Sequence, residues 1–299
     1  MNVFGEMLLN IHFFIYNKDK KNQEIKRRSL MTKKVQKHER ISVITNILTN
    51  HPNKIFTLAH FSELFNCAKS TISEDLDVIK EIFSQYELGN IETVSGAAGG
   101  VYFNPLMTKE QIKRFAQELC ELINTKERII PGGYIYMNDL LYSPTISKNI
   151  GIALASLFKD IEVDYVITVE TKGIPIALMT AMVLNRPMVV VRNQSKLTDG
   201  TVIHMNYITG SNHRIKTMCL STKAIKKGSK VLFIDDFMKA GGTAKGIIDL
   251  MQEFESEIVG IGVLMATQSP QEKLVKDFKS LLWIDTVDET NKVVDIYSV

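Results

Sequence analysis

Three stripes of apolar residues at helical spacing open the pattern of this chain. Ile41, Ile44, Ile47 and Leu48 make the first, over His38 to Thr49, and His51-Pro-Asn53 stops it. Leu58, Phe61, Leu64 and Phe65 make the second, behind Thr57 as a helix cap. After a turn at Asn66-Cys-Ala68, Lys69-Ser-Thr-Ile-Ser73 opens the third, with Ile72, Leu76, Ile79 and Phe83 along one side. Ile91 to Val94 and Val101 to Phe103 then read as two strands joined by Ser95-Gly-Ala-Ala-Gly-Gly100. Three helices and a terminal hairpin predict a small α+β unit of the winged helix-turn-helix type over residues 38–105.

A further helical pattern, Met107 to Lys126, falls in a linking segment over 106–130, and Pro131-Gly-Gly133 breaks it. Strand and helix patterns alternate beyond that point. Strands are predicted at Val163 to Val169, Pro187 to Val191, Val202 to Ile208, Ile215 to Leu220, Val231 to Ile234 and Ile258 to Met265. Helices are predicted at Ile174 to Leu184 and Ala244 to Phe254. Such alternation predicts an α/β unit over 131–299, with a mostly parallel sheet and helices on both faces. Ligands of these sheets lie beyond the carboxyl ends of the strands.

Charge changes the picture at the amino-terminal end. Residues 18–37 carry nine Lys or Arg against two acids, residues 38–105 four against eight, and residues 106–299 are nearly balanced. Residues 1–37 read as a basic, disordered tail or extension, with Met31 as an alternative start. The apolar run Met1 to Tyr16 is too short to span a bilayer and lacks the flanks of a signal peptide. No membrane association is expected. Three scattered cysteines, Cys67, Cys120 and Cys219, suit a reducing cytoplasm and exclude a metal cluster of the CxxC kind.

The chemistry concentrates in Val231-Leu-Phe-Ile-Asp-Asp-Phe-Met-Lys-Ala-Gly-Gly-Thr243. Four apolar residues of a buried strand lead to two carboxylates, Asp235 and Asp236. Lys239, Ala240, Gly241, Gly242 and Thr243 follow, and then a helix. The carboxylates can accept hydrogen bonds from neighbouring ribose hydroxyls. Successive N–H groups and the helix dipole can wrap a phosphate, and glycine permits the close approach. This run resembles the PRPP-binding motif of the phosphoribosyltransferases (PRPP is 5-phosphoribosyl 1-pyrophosphate). Mg²⁺ would then sit near Asp235 and Asp236, held mainly through water and the ligand's phosphates.

A second anion loop is expected at Thr171-Lys172-Gly173, between a strand and a helix start. Tyr134 and Phe237 are candidates to cover the ribose or stack on a base. Tyr207 to Arg214, with Gly210 and Ser211, reads as a mobile flap. Arg214, Lys216 and Lys223 are candidate pyrophosphate contacts from it. Lys239 and Ala240 stand where active phosphoribosyltransferases usually carry small hydroxyl or acidic residues. No general acid or base for a nucleobase is evident; His204 and His213 only neighbour the flap. The site reads as one that binds PRPP without catalytic residues for turning it over.

Lys69, Ser70, Thr71 and Ser73 open the third helix, where recognition helices place base and phosphate contacts, and Thr93 and Ser95 lie at the wing. The unit is itself acidic, with Glu74, Asp75, Asp77 and Glu81 on that helix. DNA affinity rests on neutralised phosphates. The missing positive charge is expected from Lys33, Lys34, Lys37 and Arg40, from the second unit, or from a dimer surface.

The pairing of these two units resembles the purine operon repressor family of Gram-positive bacteria. The likeness is carried by Ala68 to Asp75, Gly96 to Val101, Pro131 to Tyr134, Thr171 to Pro175 and Ile234 to Thr243. The resemblance implies a homodimer that binds operator DNA and represses purine biosynthesis and transport genes. It implies PRPP as inducer, competing purine nucleotides, and no catalysis. The rival is an active purine phosphoribosyltransferase with a regulatory amino-terminal unit.

Overall fold

The computed structural model describes residues 35–96, 99–208, 215–291 and 293–298. Apart from residues 35–37, the tail lies outside them, as do Gly210, Ser211, His213 and Arg214 of the flap. The chain forms two compact units, one ending at Phe103 and the other starting at Asn104.

The first unit contains α1 (Lys37–Thr49), α2 (Leu58–Phe65), α3 (Lys69–Gln85), β1 (Asn90–Val94) and β2 (Gly100–Asn104). The Thr57 hydroxyl caps α2 by accepting the His60 N–H, and left-handed Asn66 ends it. The apolar stripes meet in one core around Ile44, Leu48, Phe61, Ile72 and Ile79. Phe56 adds a third, one-residue strand by pairing with Val101.

Arg40 is not where charge counting placed it. It is 8% exposed, and its guanidinium is bonded to Asp75 and to the Val35 carbonyl. A buried arginine needs such partners to offset lost hydration. Arg40 therefore holds α1 to α3 and is not a free surface charge. Asp75 is neutralised by the same contact.

The second unit begins with α4 (Lys109–Ile123), started by the capping box of Thr108 and Gln111. The helix expected as a link is part of this unit's core. Ala116, Leu119, Cys120 and Ile123 pack with Leu281, Leu282, Ile284 and Ile296. Burying Leu119 and Ile123 contributes about 1.5–3 kcal/mol each. A small hairpin, β3 (Ile129–Ile130) and β4 (Tyr134–Ile135), and two helices, α5 (Asn138–Leu141) and α6 (Pro144–Leu157), follow.

The strands are β5 (Tyr165–Val169), β6 (Met188–Val191), β7 (Val202–Ile208), β8 (Ile215–Ser221), β9 (Lys230–Met238), β10 (Glu257–Thr267), β11 (Lys279–Asp288) and β12 (Val293–Ser298). Helix α7 (Ile174–Leu184) follows β5, and α8 (Gly242–Glu253) follows β9. Six strands form the central sheet in the order β12-β11-β10-β9-β5-β6, parallel except for the edge strand β12. Strands β7 and β8 form a separate hairpin.

The two helices lie on opposite faces. Ile176, Ala177 and Ala181 of α7 belong to one core, and Ala244, Ile247, Leu250 and Met251 of α8 to the other. Connections leave β5 toward β6 and leave β9 toward β10. The order therefore reverses between β5 and β9, and a crevice opens there beyond their carboxyl ends.

Candidate functional site

Strand β9 does not stop at Ile234. It pairs with β10 as far as Met238 opposite Ala266, but with β5 only through Phe233. Asp235 and Asp236 thus lie on a strand whose β5 side has come open. A cleft of ≈ 740 Å³ fills that opening. Asp235, Asp236, Phe237, Lys239, Ala240, Gly241, Gly242 and Thr243 all line it, with Lys172 from the loop after β5 and Tyr134 from β4. Residues from three separate stretches of sequence thus line one cleft, while Thr171 and Gly173 of the expected anion loop are not among its lining residues.

The carboxylate pair is electrostatically strained. Burial, and then the neighbouring Asp236 charge, hold Asp235 well above the usual carboxylate range. Burial raises Asp236 as well, opposed by its hydrogen bond to Asp235 and by the Lys172 charge. The Asp235 Oδ1 also accepts the Asp236 N–H at 3.0 Å. A ligand bringing hydroxyl donors or a cation would relieve this repulsion. Among the described residues no group of three or more His, Cys, Asp or Glu could hold a metal alone.

Gly173 explains how close the two loops come. A Cβ there would lie 2.4 Å from the Thr168 Oγ1 and 2.8 Å from the Asp235 Oδ1. Only hydrogen fits between the anion loop and the acid. Thr171 and Lys172 beside it are exposed.

The loop after β9 has its carbonyls tied to the end of β10 and the segment after it. The Lys239 carbonyl accepts from the Lys273 ammonium at 2.6 Å and lies 3.2 Å from the Thr267 hydroxyl. The Ala240 carbonyl accepts the Leu274 N–H at 2.9 Å. Both peptides are trans. In a trans peptide the N–H points opposite to its carbonyl. The N–H groups of Ala240 and Gly241 are therefore turned away from the Lys273 and Leu274 donors. Gly241 is left-handed, with φ 80°, and caps the start of α8. Successive N–H groups ahead of a helix start are the elements of which anion nests are built.

Tyr207, assigned to the flap, is 9% exposed and packs in the core below α8. A Cβ on Gly246 would meet its side-chain carbons at 2.9 and 3.1 Å, so the missing side chain makes room for it. Burial raises the Tyr207 pKa above the usual tyrosine value, with the nearby Thr243 hydroxyl opposing. It is a fixed wall of the phosphate loop. Lys216 of β8 lines the cleft from the same hairpin.

Sequence reasoning missed the far wall. Ile284, Asp285 and Val287 come from β11, and Met265, Thr267 and Ser269 from β10 and the segment after it. The Pro131-Gly-Gly133 turn closes the rim. Its Gly132 and Gly133 N–H groups donate to the Glu289 Oε2 at 3.0 and 3.1 Å. Tyr134, next to it, is 64% exposed.

On the first unit, Lys69, Ser70, Ser73, Thr93 and Ser95 are exposed and Thr71 is partly so. Helix α3 has no side-chain cap at its start, where Lys69 stands. Lys80, not singled out from sequence, donates to the Thr93 Oγ1 at 2.9 Å and joins α3 to β1. Among the described residues no helix is long and apolar enough to cross a membrane.

The family described as "Bacterial purine repressor, N-terminal" matches residues 36–105, and "Phosphoribosyl transferase domain" matches residues 137–298. The chain is 44% identical over 263 residues to the purine biosynthesis transcriptional repressor PurR of Bacillus subtilis, covering 88% of this chain and 92% of that protein. It is 43% identical over 264 residues to the probable purine biosynthesis transcriptional regulator PurR of Streptococcus pneumoniae, covering 88% and 96%. It is 40% identical over 262 residues to the purine biosynthesis transcriptional activator PurR of Lactococcus lactis, covering 88% and 97%.

Proposed function

We propose that this chain, which belongs to the bacterial purine repressor family, is a DNA-binding transcriptional repressor of purine biosynthesis and transport genes that senses PRPP in its second unit. The observation that carries this reading is the meeting of the Asp235–Asp236 pair, Lys172 and the 239–243 loop in one cleft. Each part has its portion of the ligand. The N–H groups of Ala240 and Gly241, with the Thr243 hydroxyl, hold the 5′-phosphate. Asp235 and Asp236 accept the ribose hydroxyls. Lys172, with the loop around Gly173, holds the pyrophosphate. Tyr134 and Phe237 cover the sugar.

The donor set fits a Mg²⁺ ion that arrives on the ligand. Two adjacent carboxylates face the cleft, with too few ligands for a protein-only cage. The ion would neutralise pyrophosphate charge and favour the ionised acids. Purine nucleotides, carrying a phosphate and a ribose, compete for the same cradle.

DNA contacts fall to the start of α3 and to the wing. Lys69, Ser70, Thr71 and Ser73 meet the groove, and Thr93 and Ser95 the backbone. The chain works as a homodimer, which doubles the positive surface offered to an operator. PRPP acts by preferring the conformation that releases DNA, so its differential affinity sets the response. The Lactococcus relative is named an activator.

Asp285 supports a second reading. It is a carboxylate in the cleft, and a base-facing acid is what a purine phosphoribosyltransferase needs. Incubation with Mg²⁺, PRPP and each purine base separates the two. Our reading expects heat of PRPP binding in a calorimeter and no pyrophosphate release at enzymatic rates, whereas steady release would favour the enzyme.

A further inference from the structure

Lys273 has an unusual set of partners. Its ammonium lies 2.6 Å from the Lys239 carbonyl, 2.8 Å from that of Thr267 and 3.1 Å from that of Pro270. Three donors meet three main-chain acceptors. Among the described residues no carboxylate is within ion-pair distance of it. A half-buried lysine with carbonyls alone as partners stands where a bound cation would stand.

Its principal acceptor belongs to the phosphate loop. The Thr267 hydroxyl also approaches the Lys239 carbonyl, at 3.2 Å, but is closer to the Ser269 carbonyl, at 2.7 Å. One hydroxyl has one hydrogen, so Lys273 is the donor that fixes the Lys239 carbonyl. We infer that Lys273 is a positioning residue for phosphate recognition, a built-in cation that holds the 239–240 peptide in one orientation, with its N–H turned away from the ammonium.

Two physical effects follow from that placement. Holding the carbonyl against Lys273 removes the flipped peptide orientation, in which that oxygen would take the place of the N–H. A charge-assisted bond to that oxygen also polarises the peptide and strengthens its N–H as a donor. Neither effect needs Lys273 to touch the ligand. The inference rests on the proposed reading of the cleft, and it concerns only the phosphate end.

Calorimetry on the full chain with two separate probes tests it. Ribose 5-phosphate reports on the 239–243 loop, and magnesium pyrophosphate on the Lys172 loop. Lys273→Met keeps the stem and removes the donors. The expected result is a loss of ribose 5-phosphate affinity of roughly 10-fold or more, with pyrophosphate affinity unchanged within about 2-fold. Lys273→Arg, which keeps charge and donors, should recover part of the loss. Unchanged ribose 5-phosphate affinity in folded Lys273→Met overturns the inference, as does an equal loss for both probes. If Lys273→Met does not fold, Lys273→Gln carries the same comparison. A wild-type chain that ignores both probes would bring down the reading of the cleft itself.

Discussion

Arg40 and Asp75 form a two-point ion pair inside the first unit. The Arg40 Nε donates to the Asp75 Oδ2 at 2.6 Å and its Nη2 to the Oδ1 at 3.1 Å. Both side chains are at least nine-tenths buried. Hydrogen bonding to Asp75 raises the arginine further above its ordinary pKa. Asp75 lies nearly two turns into the helix that opens with Lys69. An acid that would repel DNA there is cancelled from within.

Breaking this pair should look like a DNA-binding defect and be a folding defect. Arg40→Ala leaves a buried carboxylate and should cost about 3–5 kcal/mol. Arg40→Met with Asp75→Leu should restore much of that stability and the operator affinity together. Thermal melts and gel shifts on the three proteins check this. A stable Arg40→Ala protein that fails on DNA would return Arg40 to the DNA surface.

Lys69 is the exposed charge at the uncapped start of α3. Lys69→Ala should weaken operator binding and lower the slope of log affinity against log salt by about one. Ser70→Ala with Thr71→Ala should weaken binding with the slope nearly unchanged. Fluorescence anisotropy across a salt series measures both. Affinity and slope equal to wild type in both variants would remove α3 from the interface.

Gly173→Ala should push Asp235 off its position, because the new methyl would overlap the Thr168 and Asp235 oxygens. Overpacking of this kind costs about 1–3 kcal/mol. PRPP affinity should fall about 10-fold or more while DNA binding stays. Calorimetry that finds normal PRPP affinity would show that the two loops do not need this contact.

Asp235 gives a signed pH prediction. Its pKa is raised in the folded chain, so folding favours the protonated form. That preference costs stability as pH rises from the ordinary aspartate value through the raised one. Asp235→Asn should therefore raise the melting temperature at neutral pH and abolish the PRPP response. Every tenfold change in the acid's ionisation equilibrium corresponds to about 1.4 kcal/mol, and a gain of about 1 kcal/mol raises the melting temperature of a domain of this size by about 2–4 °C. The gain should vanish at a pH below 3.8, where the wild-type acid is protonated as well. Melting curves at neutral and acid pH read this directly, and a destabilised Asp235→Asn at neutral pH would refute it.

Much of the fold and the site is legible in the sequence because it is local. The stripes of α1 to α3, the Thr57 cap, the Asp235–Asp236 pair and the glycine turns each lie within a few residues. The rest depends on distant partners. Arg40 reads as a free charge until Asp75, thirty-five positions away, is seen against it. Tyr207 reads as flap until Gly246 is seen to make room for its ring. Lys273 carries no motif, since carbonyl partners leave no trace in side-chain identity. Helix α6 escapes pattern reading although Ser143-Pro144 is a start signal, because it is buried on several sides and lacks a clean stripe. Strands β11 and β12 escape it too, and with them the Ile284–Asp285 wall.

The most direct measurement is a titration of magnesium-PRPP into the full chain bound to double-stranded DNA from upstream of purine biosynthesis genes, followed by gel shift or anisotropy. The account predicts progressive release of DNA by the wild-type chain and no release when Asp235→Asn takes its place. DNA that stays bound to the wild-type chain at saturating magnesium-PRPP would contradict it.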